Sequence, residues 1–316
     1  MEKRQLGSSD LHVYPITFGG NVFGWTIDEK ESFEILDAFT GAGFNFIDTA
    51  DVYSRWVPGN AGGESEVIIG NWLKKNNNRD KVIIATKVGS DMSDGKKGLK
   101  KQYILQAVEA SLTRLQTDYI DLYQTHFDDV STPVQETLEA YDQLIKEGEV
   151  RYIGASNMSP ERLKESLEVS VVQGLPQYQT FQPHYNLLER DKFENGIEPL
   201  CLGNNMGVIS YFSLASGFLT GKYRTKDDLG KSVRGGDMDK HFDARGLKIL
   251  AALDEVAASL NTTPATVALA WLIHRPSVTA PIVSATSIKQ LDSIIAAPDL
   301  DITAHEIEFL TQESAW

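Results

Sequence analysis

One cysteine, Cys201, stands in the whole chain, so no disulfide can close within it and a disulfide-built secreted scaffold is excluded. No apolar run reaches the about 18 residues that a spanning helix needs. No apolar signal core follows Met1-Glu2-Lys3-Arg4-Gln5-Leu6-Gly7, so the expected location is the cytoplasm. Positive charge is scarce: 30 Lys and Arg face 44 Asp and Glu, for a net charge of −14. Such a surface repels phosphate backbones and anionic headgroups, so neither nucleic acid nor a membrane is an expected partner. A Walker-type phosphate loop is also missing. Gly41-Ala42-Gly43-Phe44-Asn45-Phe46 begins like a dinucleotide fingerprint, but Phe46 stands where the third glycine belongs. Those glycines also follow a helical pattern and precede a strand, the reverse of the required order, and read as a helix stop feeding a turn. Cys201 lies after Pro199 and Leu200 in an apolar stretch and reads as a packed hydrophobe rather than a nucleophile.

What is present is alternation. Arg4 to Leu6 and Leu11 to Tyr14 flank the turn formers Gly7 to Asp10, a small hairpin. Short apolar runs follow at 45–48, 82–87, 119–124, 150–154, 207–211 and 281–283, suited to parallel strands covered on both faces. Between them Ile104, Val108, Leu112 and Leu115, then Leu138, Tyr141, Leu144 and Ile145, recur at helical spacing. Asp28 and Ser159-Pro160 read as helix starts, Gly148 as a stop. Strand–helix alternation over 316 residues predicts an α/β fold with a parallel sheet. A (β/α)8 barrel forming a single domain over 1–316 fits that length, and a doubly wound sheet is the competing architecture. From Thr220 to Arg245 the apolar pattern lapses, which predicts a structureless loop acting as a lid.

In a parallel barrel the chemistry sits at the C-terminal strand ends. The second strand ends at Asp48-Thr49-Ala50-Asp51, with Tyr53 just beyond. The third ends at Lys87, the fourth at His126, the fifth at Ser156-Asn157, the sixth at Gln182 and the seventh at Tyr211. Singly, each has a bland reading as a turn cap, a snorkelling lysine or a satisfied histidine. Together they compose a site. A lysine ammonium beside a tyrosine lowers its pKa from about 10. An aspartate supplies the buried lysine's counter-charge. A histidine can donate to an oxygen that becomes negative. Such a group protonates an alkoxide and needs a hydride donor, for which nicotinamide is the common choice.

These segments resemble the aldo-keto reductase superfamily, and the resemblance covers nearly the whole chain. It is carried by 46–54 (Phe-Ile-Asp-Thr-Ala-Asp-Val-Tyr-Ser), Gly63-Glu64-Ser65-Glu66, Ala85-Thr86-Lys87-Val88 and the run from Asp118 to His126. Gly154-Ala155-Ser156-Asn157, the run from Gln182 to Arg190 and Gly217-Phe218-Leu219-Thr220-Gly221-Lys222-Tyr223 complete it. The nearest flavour is the bacterial branch similar to the potassium-channel β-subunits. The resemblance implies a (β/α)8 TIM barrel whose hairpin closes the bottom, with extra helices and loops on the C-terminal side. It implies reversible, NAD(P)H-dependent reduction of aldehydes or ketones by a tetrad of Asp48, Tyr53, Lys87 and His126. It places the nicotinamide against Ser156, Asn157, Gln182 and Tyr211, near Gly20 and Asn21. The rest of the cofactor falls to Ser213, Leu214, Gly217, Lys222, Ser284, Thr286, Lys289 and Gln290. Trp25 and Trp56 are candidates to line the substrate pocket.

Two departures bear on the cofactor. Ser216 and Thr286 stand where the family often has arginine near phosphate. Lys289 and the hydroxyls of Ser284, Thr286 and Ser287 remain, and no acidic residue in that turn opposes a 2′-phosphate, so NADP(H) is expected over NAD(H). Two other functions are weighed: a redox-sensing cofactor-binding subunit acting through a partner, and a metal-dependent hydrolase using Asp48, His126, Asp128 and His184. The metal set is opposed by Lys87 on the neighbouring strand. A small-molecule carbonyl compound is the expected partner; the natural substrate and any homo-oligomer are left open.

Overall fold

Apolar strands that must be covered on both faces, joined by amphipathic helices, curl into a closed barrel. The computed structural model describes residues 2–316, the side chain at position 237 excepted. A hairpin, β1 (Arg4–Gln5) and β2 (His12–Val13), precedes the barrel. The barrel strands are β3 (Thr17–Gly19), β4 (Phe46–Asp48), β5 (Ile83–Val88), β6 (Ile120–Thr125), β7 (Val150–Ser156), β8 (Thr180–Gln182), β9 (Gly207–Val208) and β10 (Ile282–Val283). All pair in parallel, in the order β10-β3-β4-β5-β6-β7-β8-β9. The Thr279 N–H donates to the Val208 carbonyl and the Ile282 N–H to the Ser210 carbonyl, each at 2.8 Å, which joins the two ends of that order. A doubly wound sheet has open edges, so these bonds decide for the barrel.

Helices α1 (Glu29–Gly41), α2 (Glu64–Asn76), α3 (Lys101–Leu115), α4 (Val134–Glu147) and α5 (Pro160–Gln173) follow successive strands. Then come α6 (Glu198–Gly203), α7 (Ala244–Ser259), α8 (Pro264–Ile273), α9 (Ile288–Ile295) and α10 (Ala304–Glu313). Asp28 caps α1 in a reciprocal box with Glu31, and Ser159 caps α5 ahead of Pro160. Gly148 ends α4 at φ +80°, a left-handed turn that glycine adopts without strain.

Two cores result. Between sheet and helices lie Phe18, Ile47, Ile84, Tyr123 and Ile153 with the helical stripes. Inside the lower barrel, Phe46, Ile83, Ala85, Leu122, Ile209 and Ile282 meet Leu6, Leu11 and Val13 of the hairpin. The hairpin is thus the plug of the barrel base. Cys201 is fully buried, as its apolar context predicts.

The segment from Thr220 to Arg245 is not structureless, which corrects the sequence reading. It holds 3-10 turns at Lys226–Lys231 and Gly235–His241, preceded by another at Ala215–Thr220. Tyr223 and Met238 are buried, the Tyr223 hydroxyl lies 2.6 Å from Ser232 Oγ, and Arg224 forks onto Asp254 of α7 at 2.6 and 2.7 Å. Short turns pinned by polar side chains leave no apolar period for the sequence to display.

Gly154 is required where the barrel narrows. A methyl group there would lie 3.0 Å from the Gln124 side chain and nearer still to Thr180 Oγ1. Gly154→Ala is expected to lower stability by about 1–3 kcal/mol, as overpacking a closed core does. Urea unfolding measures this, and an unchanged midpoint would show that the barrel interior yields freely.

Candidate active site

Parallel register brings the polar strand ends to one mouth. Asp48 pairs with Ala85, Lys87 with Gln124, Gln124 with Gly154, and Ser156 with Gln182. Asp48 and Lys87 are both fully buried, and Lys87 Nζ lies 2.6 Å from Asp48 Oδ2. Nζ also donates to the Thr49 carbonyl at 2.7 Å and to the Tyr53 hydroxyl oxygen at 2.8 Å. Three acceptors account for three ammonium hydrogens, so the geometry is that of a charged lysine. The other oxygen of Asp48 accepts from Gln124 Nε2 at 3.1 Å and Gln182 Nε2 at 3.0 Å.

Tyr53 reaches this pair from the loop after β4. Buried Ser54, at φ +69°, anchors the loop by donating to the Phe23 carbonyl at 2.6 Å. The Tyr53 ring keeps an exposed edge while its hydroxyl turns inward. Burial pushes that hydroxyl well above its ordinary pKa, the nearby Asp48 carboxylate adds to the rise, and Arg234 opposes it. This corrects the expectation that the lysine would set the direction: enclosure and Asp48 outweigh it. Burial likewise holds Lys87 below the usual lysine range, with Asp48 the largest opposing influence. His126 is pushed well below its ordinary value by burial and then by Lys87, and is neutral at pH 7. Its Nδ1 lies 2.9 Å from Ser90 Oγ, and its ring centroid 6.1 Å from that of Tyr53.

A second group adjoins these four. Ser156 donates to the Gln182 carbonyl at 2.8 Å, Asn157 to the His126 carbonyl at 2.9 Å, and the Tyr211 hydroxyl to Asn157 Oδ1 at 2.8 Å. The Tyr211 ring stacks on His184 with centroids 5.2 Å apart. Phe212, Ala215, Ser216 and Gly217 all hold positive φ, so the backbone beside buried Ser213 and partly buried Leu214 is tightly folded. Lys222 is exposed, its Nζ 4.8 Å from the Tyr223 ring centroid.

At the last strand the expected phosphate-facing groups divide. Ser284 Oγ lies 2.6 Å from both the Gly19 carbonyl and Asn21 Oδ1, so it links β10 to β3 and is turned away from the surface turn. Gly20 accepts from Ser65 Oγ at 2.8 Å. Thr286, Ser287, Lys289 and Gln290 are exposed at the start of α9, where Ser287 caps the helix and Thr286 bonds to Gln290 Oε1.

Aromatic rings wall the mouth on the other side. Trp25 and Trp56 meet edge-on at 5.4 Å, and Trp56 lies 6.2 Å from Tyr53. Arg234 sits over Trp25 at 4.7 Å, and its charge is felt at the Tyr53 hydroxyl. The residue pattern alone did not single out Gln124, Ser90 or Arg234. Gln124 stands within the apolar strand β6, where only its pairing with Lys87 marks it. The hydrolase alternative loses its ligands: Asp128 is paired with Arg162 at 3.1 Å, and His184 is stacked on Tyr211. Among the described residues no three His, Cys, Asp or Glu converge as metal ligands.

The aldo/keto reductase family model matches residues 15–313. This chain belongs to that family. An oxidoreductase of Bacillus subtilis, YrpG, is 34% identical across 98% of this chain and 95% of its own length. The probable voltage-gated potassium channel subunit beta of Arabidopsis thaliana is 33% identical, covering 95% and 92%. The versiconal hemiacetal acetate reductase of Aspergillus parasiticus is 30% identical, covering 99% and 96%. The protein is therefore an oxidoreductase of a family that uses nicotinamide cofactors on small carbonyl compounds.

Removing one partner of a buried ion pair strands the other charge. Asp48→Asn is expected to destabilise the fold by about 3–5 kcal/mol. Denaturant melts at pH 7 test this, and a loss below about 1 kcal/mol would mean that Thr49 and Tyr53 suffice to hold Lys87.

Proposed function

We propose that this protein reduces aldehydes or ketones to alcohols, reversibly, with Tyr53 as the proton donor. The observation that carries the reading is Lys87 Nζ set between Asp48 Oδ2 and the Tyr53 hydroxyl at 2.6 and 2.8 Å. A bound nicotinamide supplies the hydride for the carbonyl carbon. Tyr53, a neutral phenol at pH 7, gives its proton to the carbonyl oxygen as that oxygen becomes an alkoxide. The Lys87 ammonium steadies the phenolate left behind, and Asp48 keeps Lys87 charged. If the Ser90 hydroxyl donates to Nδ1 of His126, the ring proton lies on Nε2, where it can donate to the substrate oxygen. Trp25 and Trp56 provide apolar walls suited to an uncharged carbonyl substrate.

The residues present fit a nicotinamide cofactor. Ser156, Asn157 and Gln182 offer hydroxyl and amide groups suited to a carboxamide, beside the flat ring of Tyr211. Exposed Lys289 and Thr286 at the α9 N-terminus suit an adenosine phosphate. This supports NADP(H) over NAD(H), read by Lys289 in place of an arginine. Similarity to a channel β-subunit supports a second reading, a redox sensor working through a partner; steady turnover of simple aldehydes separates the two.

Tyr53→Phe keeps the ring and removes the hydroxyl. Reduction is expected to fall at least about 100-fold, with cofactor affinity nearly unchanged. Turnover close to wild type would remove Tyr53 from the mechanism. Lys289→Ala is expected to raise the KM for NADPH and leave that for NADH nearly unaltered. Equal effects on both, or a wild-type preference for NADH, would overturn the phosphate-reading role.

A further inference from the structure

Asp51 is a buried acid that the proposed reaction leaves unused. It lies three residues after Asp48 and two before Tyr53, and is 2% exposed. Its backbone N–H donates to the Lys87 carbonyl at 3.3 Å, tying the Tyr53 loop to β5. Neither carboxyl oxygen receives a hydrogen bond of good geometry from any described residue. The Val52 amide favours the charged form only as a minor influence. The two neighbouring cations turn their charge elsewhere, and the buried Tyr123 hydroxyl, which has no hydrogen-bond partner among the described residues, does not reach the carboxyl either. Lys87 has its three hydrogens on Asp48, Thr49 and Tyr53. Arg114 Nε is held by fully buried Glu66 at 2.7 Å, and Glu66 also accepts from Thr86 at 2.6 Å.

The charged and titratable groups facing Asp51 come from every side. They are Glu66 of α2, Tyr103 and Arg114 of α3, Lys87 of β5, Tyr123 of β6 and, more remotely, Tyr141 of α4. Burial, with Glu66 adding to it, pushes the Asp51 carboxyl up to about 8. An unpaired buried carboxylate is costly, so the group is a neutral acid at pH 7. Its ionised form is felt at Lys87, where it helps to hold the ammonium proton.

We propose that Asp51, a buried and unpartnered carboxyl tied to β5 through its own N–H, is a positioning residue for the Lys87–Tyr53 proton donor and helps to keep Lys87 charged. The inference rests on Tyr53 being the proton donor. On this proposal the unpartnered Asp51 carboxyl gives up its proton before Lys87, whose ammonium is held by Asp48, Thr49 and Tyr53. The carboxylate that results makes the next loss, from Lys87, harder. A neutral Lys87 could no longer steady the phenolate, so Asp51 extends the working range upward.

Asp51→Asn keeps the shape and removes the titration. With cofactor and a simple aromatic aldehyde both saturating, kcat is measured from pH 6 to 10, each protein normalised to its own value at pH 6.5. The alkaline limb of Asp51→Asn is expected about one pH unit below that of wild type, the low end for loss of an adjacent opposite charge. Superimposable profiles would overturn the proposal, because a merely structural role scales the whole curve.

A second readout avoids turnover. The folded-state pKa of Asp51 is raised, so its stabilisation is complete below the unfolded value and fades as pH rises through about 8. The melting temperature of Asp51→Asn should therefore gain on wild type between pH 5 and 9; a constant difference contradicts a neutral Asp51. Should the variant not fold, carbon NMR of wild type labelled at aspartate carboxyls decides: one resonance titrating near pH 8 supports the proposal, and all of them titrating below pH 5 overturns it. Failure of the Tyr53 assignment would appear in Tyr53→Phe and leave both of these readouts standing.

Discussion

The buried Asp48–Lys87 ion pair is the constraint on which the barrel mouth is organised. Two opposite charges at 0% exposure are expensive to desolvate, and their attraction offsets that only when every remaining hydrogen and lone pair is also engaged. Here they are. Lys87 fills its donors with Asp48, Thr49 and Tyr53, while Asp48 draws in Gln124 from β6 and Gln182 from β8. The requirement propagates to residues with no chemistry of their own. Gln124 can enter the interior because Gly154, its register partner on β7, carries no side chain.

Enclosure then sorts the protonation states. Tyr53 is held as a phenol and His126 as a neutral ring, each because burial disfavours its charged form. Asp51 is pushed the same way. Among the buried charges there, Lys87 is held by Asp48 and Glu66 by Arg114. A site with few committed charges and several poised neutral acids is suited to moving a proton toward an oxygen that is gaining charge, which is the proposed reaction.

Much of this was legible in the sequence, for a physical reason. Strands buried on both faces are nearly all apolar, so a charged residue at their C-terminal end stands out. Asp48, Lys87 and His126 were visible in that way, as were the caps at Asp28 and Ser159. Other features carry no such contrast. Gln124 is an interior residue whose importance lies in its cross-strand partner. Arg234 arrives from a distant segment whose 3-10 turns show no apolar period. The pKa of Tyr53 was misread because residue types alone suggested a lysine beside a tyrosine, whereas geometry adds Asp48 at 3.4 Å and enclosure to the same hydroxyl.

The two ends of the proposed cofactor site are built on different principles. Around Ser156, Asn157, Gln182 and Tyr211 each side chain is fixed by another member of the group, by a backbone carbonyl or, for Gln182, by Asp48 and Gln124, so position is set by the barrel itself. At α9 the groups are exposed, and only the cap and the Thr286–Gln290 bond order them. With Ser284 turned inward toward Gly19 and Asn21, the proposed recognition of a phosphate there would fall to Lys289, Thr286 and the helix N-terminus. A lysine is a flexible point charge, without the planar fork by which arginine grips phosphate. Discrimination between the two nicotinamide dinucleotides should accordingly be modest and should weaken with salt, because exposed charges are screened within about 10 Å at 0.1 M ionic strength.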